Sequence, residues 1–199
     1  MFRFVVRDCS QTLPTCKTIK RFTTIHVLTQ PDGMKKIIIG VMGPGATAKE
    51  IDVQNAYELG SFIAQEGWIL LTGGRNVGVM DAANRGAKIA KGLTVGILPN
   101  SDPQAISEAV DIPIITDMGS ARNNINALSC NVVIACGIGA GTTSEIALAL
   151  KANKPVVLLN DDEHSHRFFV SLSKENIFIA ENAPAAIAIT KQILINKKV

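Results

Sequence analysis

Glycine-rich turns hold the residues of this chain whose types and spacing could do chemistry. The most informative run extends from Cys130 to Glu145. Gly137, Gly139 and Gly141 fall at every second position, and Thr142, Thr143, Ser144 and Glu145 follow them. Glycines let a backbone approach a ligand closely. The first amides of a helix lack intrahelical partners and carry partial positive charge. A glycine turn opening into a helix is therefore an anion site, and Thr142 and Thr143 can cap the helix or donate hydroxyl hydrogen bonds to a phosphate. Glu145 is the exception in such a cradle. Its spacing from Thr142 fits a capping box or compensation of the helix dipole, and equally a catalytic or ribose-binding carboxylate.

A second turn, Thr72 to Met80, has the same character, with Gly73, Gly74, Gly78 and Met80 around Arg75. Arg75 adds a fixed positive charge where an anion could sit. A third, Gly43-Pro44-Gly45, resembles part of a dinucleotide fingerprint but lacks the third glycine in register. Two glycine turns ending parallel strands of one domain point to a shared ligand site. His164-x-His166, in the acidic run from Asp161, would present both rings on one face if extended. A solvated loop is the simpler reading, and no metal site is expected there.

The elements that must position these turns follow from apolar patterning. Strands are expected at Ile37–Met42, Trp68–Leu71, Leu93–Leu98, Ile112–Ile115, Val132–Ala135, Pro155–Leu159 and Asn176–Ile179. Pro113 argues that the fourth is an edge or carries a bulge. Helices are expected over 48–66, 81–90, 142–152 and 183–195, with a loop and short helix over 100–110 and a further helix that Met118–Asn124 leads into and that ends near Ser129. The first buries Ala56, Leu59, Ile63 and Ala64. Strands alternating with helices give an α/β doubly wound parallel sheet, Rossmann-like and three-layered, with its site on the carboxyl edge.

Composition sets the bounds. The chain has 199 residues, enough to bury a sizeable core in one domain. Hydrophobic residues make up 47% but aromatics only 5%, so the core is aliphatic, as in sheets covered by helices. No apolar run approaches the roughly 18 residues of a membrane span. Cys9, Cys16, Cys130 and Cys136 lack metal-ligand spacing, which suggests a reduced cytoplasmic protein. Residues 1–34 hold five basic residues against two acidic ones. They thus account for the whole net charge of +3, and no nucleic-acid partner is expected for the folded part. Residues 1–33 read as a poorly structured or edge extension, with a targeting segment or a misassigned start as alternatives. Residues 34–199 read as one phosphate- or nucleotide-binding domain.

From Met34 to about Leu159 the chain resembles the Rossmann-like SLOG family once labelled possible lysine decarboxylases. That family includes the LOG phosphoribohydrolases and the molybdenum cofactor carrier proteins. Gly139-Ala-Gly-Thr-Thr-Ser-Glu145 matches the second half of the LOG signature, with Gly137 where LOG has proline and Ile138 in place of a glycine. Gly73-Gly-Arg-Asn-Val-Gly-Val-Met80, Gly96-Ile-Leu-Pro99 and Ser120-Ala-Arg-Asn123 look closer to the carrier branch.

The resemblance implies a carrier of a phosphorylated pterin, such as molybdenum cofactor, or of a nucleotide-like ligand. That ligand would rest on Gly43, Gly45, Gly73, Gly74, Arg75, Gly78, Met80, Ser120, Gly139, Gly141, Thr142 and Thr143. It implies no other cofactor, and a homo-oligomer, dimer or tetramer. The alternative it implies is a nucleoside 5′-monophosphate phosphoribohydrolase. There Arg122 pairs with Glu145, and Glu145 stabilises the oxocarbenium charge that develops as the N-glycosidic bond breaks. A nucleotide sensor is a third reading. Lysine decarboxylation would need a Schiff-base lysine. Lys88, Lys91 and Lys151 all fall late in predicted helices, away from the turns.

Overall fold

A computed structural model describes residues 35–159 and 162–197. The expectations for residues 1–33, and for Met34 as a start, lie outside the described residues. The elements in order are β1 Ile38–Met42, α1 Glu50–Gln65, β2 Ile69–Thr72, α2 Gly78–Ile89, β3 Thr94–Leu98, β4 Ile112–Ile115, α3 Asn123–Ser129, β5 Val132–Cys136, α4 Ala140–Lys151, β6 Val156–Leu159, α5 Glu163–Leu172, β7 Ile177–Ala180 and α6 Ala183–Asn196. Short 3-10 turns occupy Pro103–Ala105 and Gly119–Arg122.

The strands form one parallel sheet in the order β4-β3-β2-β1-β5-β6-β7. Chain order reverses between β1 and β5, whose register pairs Ile39 with Val132 and Met42 with Ala135. Alternate residues of the central strands feed opposite cores. Ile39, Val41, Val132 and Ile134 pack with Ala56, Leu59 and Ile63 of α1 and with Ala83 and Ala87 of α2. Met42, Val133 and Ala135 pack with Ile146 and Ala149 of α4 and with Phe169 of α5. Helices on both faces make the three-layer α/β/α arrangement, and they explain why these strands read as continuous apolar runs. No helix among the described residues is long and apolar enough to cross a membrane.

Three expectations are corrected. The helix after β2 begins at Gly78, with Val77 as its N-cap, rather than at Asp81. The helix after β5 begins at Ala140, with Gly139 as its N-cap, rather than at Thr142. Glu145 therefore lies in the second turn, and the capping box with Thr142 is not formed. The run 161–166 is not a loop throughout. Asp162 accepts hydrogen bonds from the amides of His164 (3.1 Å) and Ser165 (3.3 Å) and caps α5. Phe169, 1% exposed, anchors that helix to the core. His164 and His166 then stand two residues apart on a helix and do not share a face. Among the described residues no group of three or more potential ligands is placed to hold a metal ion.

Candidate functional site

The carboxyl ends of β1, β2 and β5 meet where the sheet reverses chain order, the position at which open α/β sheets present ligands. A cleft of about 210 Å³ opens there. The β1 turn supplies Met42, Gly43, Pro44, Gly45 and Thr47. The β2 turn supplies Gly73, Arg75 and Met80. The β5 turn and α4 supply Gly139, Ala140, Gly141, Thr142 and Glu145, and Arg122 and Asn123 complete the wall.

Backbone packing locks these turns together. Gly78, with φ +54°, starts α2 directly against the Gly45 carbonyl, and the Val79 amide donates to Pro44 O at 3.1 Å. A side chain at Gly78 would be both strained and blocked. The β2 turn is pinned from behind as well. Thr72 Oγ1 accepts from the Gly74 amide at 3.0 Å and donates to Asn84 Oδ1 at 3.2 Å. Ser107 N donates to Gly74 O and Asn76 N to Ala105 O, each at 2.9 Å.

Glycine at position 73 also makes room for a cation. A Cβ there would lie 2.7 Å from Arg122 Nη2, so the guanidinium rests on the bare turn. Arg122 is only 9% exposed. Its Nη1 stands 3.9 Å from Glu145 Oε1, an ion pair without a hydrogen bond. Burial pushes the Arg122 pKa down, Glu145 opposes that shift, and Arg75 adds to it. The guanidinium remains a cation throughout the ordinary pH range. Burial pushes the Glu145 carboxyl up, against the hydrogen bond from Asn126 and the charge of Arg122.

Five buried side-chain atoms among the described residues lack a hydrogen-bond partner, and four of them belong to this region. They are Arg122 Nε and Nη1, Thr142 Oγ1 and Asn126 Oδ1. Unsatisfied buried polar groups cost roughly 1–3 kcal/mol each, so their clustering needs an explanation. The Arg122 donors, the Thr142 hydroxyl and the first amides of α4 are what an oxyanion would satisfy. Gly141 faces open space, with nothing within 4 Å of where a Cβ would sit. Arg75 and Arg122 outweigh Glu145 in charge. A larger cleft of about 670 Å³ beside α2 lacks this signature. Its Asp81 accepts from Ser107 Oγ at 2.7 Å, and its Lys88 pairs with Asp111.

Most of the residues expected from sequence come together here, but four do not line the cleft. Gly74 and Gly78 shape the turns. Ser120 is exposed on the 3-10 turn before α3. Thr143 is drawn into α4, its amide donating to Gly139 O at 2.8 Å, because that helix starts early. Sequence reasoning missed Met42, Pro44, Thr47, Asn123 and Ala140 as lining residues, and Asn126 behind them. Asn126 Nδ2 donates to Glu145 Oε1 at 2.6 Å, and Asn123 Nδ2 donates to Ser144 Oγ at 2.7 Å. The available signal was a run of asparagines, poor helix formers, in a short helix.

Residues 36–188 match the model of the SLOG cluster4 family. The chain is similar to the molybdenum cofactor binding protein of the phototrophic bacterium Rippkaea orientalis. Identity is 59% and the TM-score 0.80, over 81% of this chain and 99% of that one. It is also similar to the Moco carrier protein of Chlamydomonas reinhardtii, at 55% identity and a TM-score of 0.78 over the same shares. An uncharacterized protein of Archaeoglobus fulgidus is 45% identical over 126 residues, 63% of this chain and 82% of that protein.

Proposed function

The chain belongs to the SLOG cluster4 family, and from that premise we propose that it is a carrier of molybdenum cofactor, held by its terminal phosphate. The observation that carries this reading is the cluster of unpartnered buried donors, Arg122 Nε and Nη1 with Thr142 Oγ1, beside the start of α4. The phosphate takes hydrogen bonds from the free amides at the start of α4, from the Thr142 hydroxyl and from Arg122. Arg75 adds positive charge at the exposed mouth. Pro44 and Met80 offer apolar contact to the part of the ligand beyond the phosphate. The cofactor is cargo here, and no bond is broken. The similarity to proteins named for carrying or binding this cofactor supports the ligand class.

The reading includes a cytoplasmic homo-oligomer with neither membrane nor nucleic acid as partner. Supporting assembly, Ile112, Ile114 and Ile115 of the edge strand β4 are exposed.

One observation favours the hydrolase alternative: Arg122 and Glu145 do face each other, at 3.9 Å. Against it, Glu145 is only 6% exposed and its Oε1 is taken by Asn126. One experiment separates the two. Protein mixed anaerobically with molybdenum cofactor released from a molybdoenzyme is run on a sizing column, and a parallel sample is incubated with nucleoside monophosphates. The carrier reading expects co-elution with molybdenum and no free base. Free base and ribose 5-phosphate, released by wild type and lost in Glu145→Gln, would replace it with the hydrolase.

A further inference from the structure

Arg122 and Glu145 present a puzzle of geometry. A buried guanidinium and a buried carboxylate on neighbouring helices ordinarily close into a hydrogen-bonded pair at about 2.7–2.9 Å. Here the pair stands at 3.9 Å, and two of the guanidinium nitrogens, Nε and Nη1, have no hydrogen-bond partner. Something holds the carboxylate back.

The carboxylate is met by a residue of α3, the helix that follows the Arg122 turn. Asn126 is fully buried on α3, four residues after Arg122. Its Nδ2 donates to Glu145 Oε1 at 2.6 Å, the same oxygen that would otherwise close on Arg122. Facing an ionised carboxylate the amide must present its NH₂ end. Its Oδ1 has no partner, so no second hydrogen bond of that amide competes for its orientation. A second link keeps the helices in place. Asn123 Nδ2 donates to Ser144 Oγ, which in turn donates to Gly141 O at 2.7 Å.

We propose that Asn126 is a positioning residue that holds the Glu145 carboxylate off Arg122 and so keeps the Arg122 donors free for an incoming phosphoryl group. This rests on the reading of the cleft as a phosphate site. Glu145 then supplies a counter-charge that makes a buried guanidinium tolerable, without consuming the donors the ligand needs. Asn126 sets the distance between those two roles.

The test reads the Arg122 side chain directly, by nitrogen-15 NMR of its Nε–H, with inorganic phosphate as probe. In free wild-type protein the Nε–H resonates as an unpaired guanidinium, and phosphate shifts it downfield. Asn126→Ala removes the NH₂ donor. In Asn126→Ala the Nε–H is already shifted without phosphate, and phosphate binds about tenfold more weakly or worse. Adding Glu145→Gln to Asn126→Ala abolishes that early shift. It also returns phosphate affinity to within about twofold of Glu145→Gln alone, which a purely structural role for Asn126 would not do. If free wild type already shows the shift of a hydrogen-bonded Nε–H, the inference is overturned without recourse to any variant. If phosphate shifts Arg122 in wild type but Asn126→Ala leaves both readouts unchanged, Asn126 has no such role while the cleft stands. If phosphate leaves the wild-type resonance unmoved, the phosphate reading itself fails, and this inference with it.

Discussion

At the scale of single residues, the site is built by absences as much as by functional groups. Gly73 contributes no side chain, and Arg122 occupies the space. A Cβ at position 73 would meet Arg122 Nη2 at 2.7 Å and Met80 Sδ at 2.6 Å, both ends of flexible side chains. Gly73→Ala is therefore expected to displace Arg122 rather than unfold the protein. Thermal unfolding should change by no more than about 1 kcal/mol, while affinity for molybdenum cofactor falls about tenfold or more. Equal losses in both would mean that Gly73 serves packing alone. The residue pattern was legible in part. Glycines, threonines and Arg75 announce an anion turn by type and spacing. The pairing of Arg122 with Glu145 rested on family resemblance, because nothing local to either residue shows that α3 and α4 lie side by side. Asn126 stood out only as one of a run of asparagines, and its hydrogen bond to Glu145 is visible only once the helices are packed.

At the scale of elements, the strands and most helices followed from apolar periodicity, and the errors fell at helix starts, α2 beginning at Gly78 rather than Asp81, and at α5, which was not expected as a helix. Gly139 caps α4 with an extended backbone and no side chain, so the threonines that follow drew the predicted start two residues too far. Asp162 caps α5 inside a run whose charges suggested a loop. The start of β4 shows how a polar residue can anchor an element. Asp111 accepts from the Thr94 amide at 3.0 Å and from Thr94 Oγ1 at 3.1 Å, and it pairs with Lys88. Burial alone would raise the Asp111 pKa. The hydrogen bonds from Lys88 and Thr94, with the charge of Lys88, outweigh that and hold it below the ordinary value. A carboxyl whose folded pKa is depressed contributes stability above its unfolded pKa, and loses it as pH falls through the folded one. Asp111→Asn should cost about 1 kcal/mol at neutral pH, discounted for solvent screening. The gap to wild type should close below the ordinary carboxylate range. Urea unfolding at a series of pH values checks this, and a gap that widens in acid would contradict it.

At the scale of the molecule, the parallel sheet and its carboxyl-edge site were legible because strands buried on both faces read as unbroken aliphatic runs. Strand order needed the structure. The edge position of β4 was signalled by Pro113, which is accommodated because β4 has a neighbour on one side only. The exposure of Ile112, Ile114 and Ile115 was not signalled, since an aliphatic strand reads the same whether covered or bare. In the proposed homo-oligomer these residues are covered by a second copy. Ile112→Lys with Ile114→Lys should then lower the mass seen by light scattering while the fold, followed by circular dichroism, persists. An unchanged mass would place assembly elsewhere.

The central claim is that one oxyanion satisfies the orphaned donors of Arg122 and Thr142 at the start of α4. A crystal structure of the protein with molybdenum cofactor bound tests it most directly. The account predicts the terminal phosphate within hydrogen-bond reach of the Gly141 and Thr142 amides, the Thr142 hydroxyl and Arg122. A phosphate seated elsewhere, with those donors still unpartnered, would contradict it.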